Sequence, residues 1–136
     1  MKVTFLGTGT SHGVPVIACD CKVCTSSDSR DIRFRSSVLI EINGKTIVID
    51  TGPDFRQQML RSKIKKLDAI LYTHAHRDHI SGLDDIRAFN FDDSAVDVFA
   101  SIIVQQNIRT TFPYIFSEKQ YPGIPKIQLH TINENP

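Results

Sequence analysis

The sequence lacks an excess of either charge: 16 Lys and Arg stand against 15 Asp and Glu, a net charge of +1 over 136 residues. That balance argues against a polybasic nucleic-acid arm and against an acidic solvating tail. No apolar run approaches the ~18 residues of a membrane span. The stretch 3–6, broken by Thr4, is too short for the core of a secretory signal. A membrane partner is therefore not expected, and the expected location is the cytosol. Linkers, low-complexity tracts and internal repeats are also missing. Cysteines number three, all within positions 19–24, which is an odd count packed too tightly for a disulfide framework. In a reducing compartment such a cluster reads as a metal site. What remains, 40% hydrophobic and 23% charged, is an ordinary globular composition of one-domain length, long enough to bury a core.

Short β-like runs alternate with short helical ones. The run 3–6 stops at Gly7-Thr8-Gly9, as a strand feeding a glycine loop does. Residues 7–37 show little periodicity and many small or polar side chains, and so long a loop is usually functional. Runs 38–42 and 46–49 are β-branched and joined through Asn43-Gly44, the pair that supplies a type I′ turn. Asp54 is placed to cap a helix with Phe55, Met59, Leu60 and Ile64 on one face. A third strand covers 69–72, and Ser81 or Gly82 opens a short helix through Arg87. A strand at 96–100 precedes a helix capped by Ser101, with Val104, Ile108 and Phe112 laddered. A last strand alternates over 127–132. The pattern predicts an α/β domain, a mixed sheet with helices packed on it.

The functional argument rests on residues 74–79, His-Ala-His-Arg-Asp-His, which hold three of the five histidines directly after a predicted buried strand. His74 and His76, two apart, point to one side of an extended backbone. Asp78 and His79 follow where the chain turns toward a helix, and a turn can fold both back to the same point. Imidazoles with a carboxylate suit Zn(II), Mn(II) or Fe(II). Four donors on one loop exceed the three protein ligands of a single catalytic zinc, so the motif predicts a two-metal site. The competing reading is a polar surface loop.

His-x-His-x-Asp-His after a short hydrophobic strand resembles the signature of the metallo-β-lactamase fold hydrolases. The opening strand into Gly7-Thr8-Gly9, the segment Ile49-Asp50-Thr51-Gly52 and the order of elements resemble the N-terminal half of that family's αββα sandwich. Gly7-Thr8-Gly9-Thr10-Ser11, Gly13-Val14-Pro15 and Cys19-x-Cys21-x-x-Cys24 are similar to its phosphodiesterase branch. That branch includes the phosphoribosyl cyclic phosphate phosphodiesterases and, more distantly, the tRNA 3′-end processing endonucleases. The resemblance implies that His74 and His76 bind a first metal and Asp78 and His79 a second. It also implies that Asp50 hydrogen-bonds a ligand histidine and fixes its tautomer. Asp78 is expected to orient the nucleophile as well. A complete family domain has a second half with further histidines and a bridging aspartate. After His79 only His130 remains, mid-strand, and it is read as a half-exposed strand residue. The expectation is thus a single domain over 1–136 truncated at its C-terminal side, inert alone and prone to self-association.

Cys19, Cys21 and Cys24 form a thiolate nest lacking the fourth ligand of structural zinc. The resemblance implies a histidine from the second half; within this chain His12 is the nearby candidate, and free thiols are the competing reading. Arg30, Arg33 and Arg35, and Arg61, Lys63, Lys65 and Lys66, are read as solvated faces. Two hypotheses follow. The first is a metal-dependent phosphodiesterase with two divalent ions, acting on a small phosphodiester, with nucleic acid as a weaker possibility. The second is a non-catalytic metal-binding or assembly module that completes its sheet with a partner chain.

Overall fold

The computed structural model describes residues 1–91, 93–118 and 121–133. Six strands form one sheet in chain order: β1 (Lys2–Gly7), β2 (Ser37–Ile42), β3 (Lys45–Ile49), β4 (Ala69–Leu71), β5 (Val96–Ala100) and β6 (Ile127–Thr131). β2 runs antiparallel to both β1 and β3, and β3 through β6 are parallel. The hairpin has the predicted chemistry: Asn43 at φ 49° and Gly44 at φ 73° supply both positive angles. That turn pairs Leu39 with Val48 and sets the sheet register.

Each parallel connection carries a helical segment across one face of the sheet. These are α1 (Phe55–Ser62), α2 (Arg77–Ile80) running into a 3-10 helix at Leu83–Phe89, and α3 (Ile102–Thr111). Leu39, Val48, Ile70 and Val98 from the strands meet Phe55, Ile80, Ile86 and Ile108 from the helices in one core. Ser101 caps α3, its side chain accepting from the Val104 N–H, and Val104, Ile108 and Phe112 are buried as their spacing predicts.

The opposite face of the sheet is different. It presents Val3 and Phe5 beside Ile40 and Val38, and at the other edge Phe99 beside His130. Phe5 is 73% exposed and Val3 48%, and no described helix covers them.

Several local expectations need correction. Helix α1 ends at Ser62, so Ile64 lies beyond it, while Leu60 is exposed and Gln58 takes the buried position. Asp54 stands at the N-cap without capping, because its carboxylate is held by the Arg35 backbone N–H and guanidinium at 2.8 and 2.9 Å. Arg35 is therefore not on a solvated face. The helix expected to open at Ser81 or Gly82 starts four residues earlier, at Arg77, and the segment after Gly82 winds as a 3-10 helix. Asp78 and His79 consequently lie in a helical turn rather than in a free loop.

Candidate metal centre

The histidine motif sits just beyond the C-terminal ends of β3 and β4, where parallel strands deliver their loops to one edge. Packing brings α2 onto that edge. The Thr51 N–H donates to the His79 carbonyl at 2.8 Å, and the Gly82 N–H to the Thr51 carbonyl at 2.7 Å. Gly52 permits the approach: a Cβ there would lie 2.1 Å from the Asp78 carbonyl oxygen. Below, the buried Thr51 and Tyr72 hydroxyls share a 2.5 Å hydrogen bond, and Ile80, fully buried, anchors the helix from the core side.

Asp50 organises the polar side of this edge. Its backbone adopts φ 60°, a left-handed conformation that Asp tolerates better than most residues, which takes the chain out of the strand direction. The carboxylate, 6% exposed, accepts three hydrogen bonds. Oδ1 takes the Thr73 backbone N–H at 2.9 Å, and Oδ2 takes the Thr73 hydroxyl at 2.7 Å and His79 Nδ1 at 2.8 Å.

These contacts dictate proton positions. Since an ionised carboxylate only accepts, Nδ1 of His79 carries a proton, and in the neutral ring Nε2 holds the lone pair. The Thr73 hydroxyl has one proton and gives it to Asp50, so its oxygen accepts from His74 Nδ1 at 2.9 Å. His74 is thereby also the Nδ1–H tautomer, with Nε2 free. Burial first, then the neighbouring His79 and His76, hold His74 below the ordinary imidazole range and favour that neutral form.

The rings are close: His74 and His79 centroids are 3.9 Å apart, and His74 and His76 centroids 4.6 Å. His79 Nε2 lies 3.4 Å from Asp78 Oδ2. Two electron-rich atoms at that distance fit a cation shared between them, so the donor set is chemically suited to a divalent ion. His76, Asp78 and Asp50 all come to this edge; His130 does not. It lies on the uncovered sheet face, stacked on Phe99 and 2.7 Å from Asp97 Oδ1.

A second donor cluster lies in the long loop that follows β1, which bridges at Gly9–Arg35 and Val14–Arg33 pin back to the fold. Among the described residues, Cys19, Cys21 and Cys24 are the trio of His, Cys, Asp or Glu whose ligand atoms all fall within 4.8 Å of one another. The histidine motif does not converge so tightly. Tetrahedral zinc with thiolates at ~2.3 Å spaces sulfurs by about 3.8 Å, so the cysteine trio needs little adjustment. The Cys24 backbone N–H first, then the Cys19 thiol, bring the Cys21 pKa down to about 7. The Val16 N–H donates to Cys24 Sγ at 3.3 Å. His12 is exposed and is not in this group.

Sequence reasoning missed Thr73 and the helical placement of Asp78 and His79. The signal for Thr73 was its position: it directly precedes the first histidine and follows the strand that pairs beside Asp50.

Among known proteins, residues 45–136 match the model of the beta-lactamase superfamily domain. Over 130 residues the chain is 46% identical to an octanoyltransferase of Porphyromonas gingivalis, covering 95% of this chain and 26% of that protein. It is 33% identical to ribonuclease Z of Listeria welshimeri, covering 91% of this chain and 40% of that one. A solved structure, a diphosphatase of the PhnP family, superposes with a TM-score of 0.85 at 44% identity, covering 96% of this chain and 50% of that one. The chain thus spans half or less of the length of these relatives. Its mixed sheet with helices on one face matches half of their fold. The chain belongs to the beta-lactamase superfamily domain family, the hydrolases of the metallo-β-lactamase fold.

Proposed function

We propose that the chain supplies the first half of a dinuclear metal centre in a hydrolase of small phosphodiesters. The observation that carries this reading is the Asp50 array, which turns two histidines, His74 and His79, into fixed Nδ1–H tautomers with free Nε2 atoms beside Asp78. His74 and His76 would hold one ion, Asp78 and His79 the other. Zinc or manganese suits these donors, with iron(II) a possible third. Divalent ions in such a setting lower the pKa of water and neutralise charge on phosphoryl oxygens. The chain's own residues orient the donors: Asp50 and Thr73 lock two imidazoles, and Gly52 lets α2 bring Asp78 to the edge. Asp78 would orient the nucleophile as well as bind. The ribonuclease Z relative supports a phosphodiester substrate, and the diphosphatase relative supports hydrolysis at phosphorus more broadly.

Cys19, Cys21 and Cys24 would hold a separate structural zinc that fixes the loop after β1. Two ions need more protein donors than these four side chains. The uncovered sheet face with Val3 and Phe5 supports the idea that further protein packs there and completes both the sandwich and the ligand set. In the intact enzyme, His76→Ala should abolish turnover of a chromogenic phosphodiester and lower metal content, with a modest effect on folding. Unchanged turnover would sink the assignment. The same exposed face favours a second reading, a metal-binding module that dimerises through it. Under that reading the isolated chain is a stable dimer, and no assembly containing it hydrolyses a phosphodiester.

A further inference from the structure

The cysteine trio stands apart from the histidine edge, and its sulfurs are already gathered at one place. The Sγ atoms of Cys19, Cys21 and Cys24 all lie within 4.8 Å of one another. Cys21 is exposed, whereas Cys19 and Cys24 are half-buried. A reactive solute therefore meets the Cys21 thiol first, without any opening of the fold.

The local backbone then singles out one partner for it. The Thr25 N–H and the Thr25 hydroxyl both donate to the Cys21 carbonyl at 3.0 Å. This closes a single helical turn, with Cys21 at its first position and Cys24 at its fourth. Residues three apart on such a turn face each other, with Cβ atoms about 5–6 Å apart. A disulfide needs roughly 3.5–4.5 Å, so a small tightening of the turn brings the two sulfurs to bonding distance. A bridge from Cys19 to Cys21 would instead close over Asp20 alone, a smaller ring that strains the disulfide dihedral away from about 90°. Cys24 is also held in place, its Sγ accepting the Val16 N–H at 3.3 Å.

We infer that Cys21 and Cys24 form an oxidation site for hydroperoxides, in which Cys21 is attacked first and Cys24 closes a disulfide with it. With hydrogen peroxide, the Cys21 sulfur takes one oxygen, the O–O bond breaks, and the other oxygen leaves as water with the thiol proton. The Cys24 sulfur then attacks the resulting sulfenic acid. The S–O bond breaks, the S–S bond forms, and a second water leaves with the Cys24 proton. Each sulfur gives up one electron, and the peroxide takes both. Two donors of the cluster are thereby consumed, and Cys19 alone cannot hold a tetrahedral ion. That loss of metal rests on the structural-zinc reading; formation of the disulfide does not.

Equimolar hydrogen peroxide added to the reduced intact protein tests the inference by tryptic mapping without reductant. Cleavage after Lys22 separates peptide 3–22, which carries Cys19 and Cys21, from peptide 23–30, which carries Cys24. The expected product is these two peptides joined, with Cys19 free to alkylate, and dithiothreitol should part them again. A chromophoric chelator should register about one zinc released per disulfide. Cys21→Ser should slow the loss of thiols about tenfold, because the exposed sulfur is gone, whereas Cys19→Ser should still yield the joined peptides. A disulfide without zinc release would uphold the inference and refute the structural zinc; unreacted thiols with zinc retained would do the reverse. A bridge within 3–22, joined peptides that alkylate at Cys21, Cys21 driven on to sulfinic acid with Cys24 still free, or an unchanged rate in Cys21→Ser would each overturn the inference.

Discussion

Replacing Thr73 by valine tests the proton bookkeeping of the metal edge with almost no change in side-chain volume. The hydroxyl makes two contacts, a 2.7 Å donation to Asp50 Oδ2 and a 2.9 Å acceptance from His74 Nδ1. Valine removes both but keeps the backbone N–H that Asp50 Oδ1 accepts at 2.9 Å, so the carboxylate stays in place. His79 keeps its own 2.8 Å bond to Asp50. Only His74 loses its orienting partner and becomes free to rotate or change tautomer. Loss of such a partner typically costs 10- to 100-fold in metal affinity; because Thr73 is exposed and water can replace it in part, about tenfold is expected, or roughly 1.4 kcal/mol. Competition against a chromophoric chelator reads the affinity, and thermal unfolding of the metal-free protein reads the fold, which should change by less than about 1 kcal/mol. Thr73→Ser, which keeps the hydroxyl, should restore wild-type affinity. Affinity within twofold of wild type in the valine variant, with serine and valine indistinguishable, would refute the tautomer chain.

Other perturbations probe separate parts of the structure. Gly52→Ala puts a methyl 2.1 Å from the Asp78 carbonyl, so α2 must move; urea unfolding should show a loss of about 1–3 kcal/mol, accompanied by weaker metal binding. Cys21→Ser should remove one zinc equivalent by elemental analysis and open the loop after β1 to proteolysis, with the other metals retained. Asp68 offers a pH test. Burial works to raise its pKa, yet Lys66, the Thr46 N–H and Lys45 hold it down to about 2. A carboxylate depressed in the folded state stabilises fully above its unfolded pKa of about 3.9, and that stability fades as pH falls through 2. Because Lys45 and Lys66 are 63% and 69% exposed, screening trims the effect, and Asp68→Asn should cost about 1–2 kcal/mol at pH 7. By pH 2 variant and wild type should have nearly converged; a pH-independent difference would contradict the assignment.

Much of this architecture is readable from local pattern because local physics determines it. Asn43-Gly44 permits one tight hairpin, Ser101 caps the helix it precedes, and β-branched runs form the strands. The errors arise where long-range contacts override local preference. Asp54 looks like a cap, but Arg35, nineteen positions away in sequence, claims its carboxylate. Leu60 fits an apolar stripe on paper, yet α1 is rotated so that Gln58 faces inward to reach the Arg35 carbonyl. The start of α2 at Arg77 depends on Gly52 lying beneath it, a close approach that no periodicity in 74–80 announces. Ligand types at the metal edge follow from composition and spacing. Their tautomers follow only from the fold, because Asp50 reaches Thr73 and His79 through a left-handed turn at the end of β3.

That the Asp50 array prepares His74 and His79, beside His76 and Asp78, for divalent ions is tested most directly by anomalous diffraction. The crystals should be of the intact enzyme grown with zinc. Anomalous peaks are expected about 2.0–2.1 Å from His74 Nε2 and from His79 Nε2, with both Nδ1 atoms still turned to Thr73 and Asp50. Zinc confined to Cys19, Cys21 and Cys24, with no peak at the histidine edge, would contradict the claim.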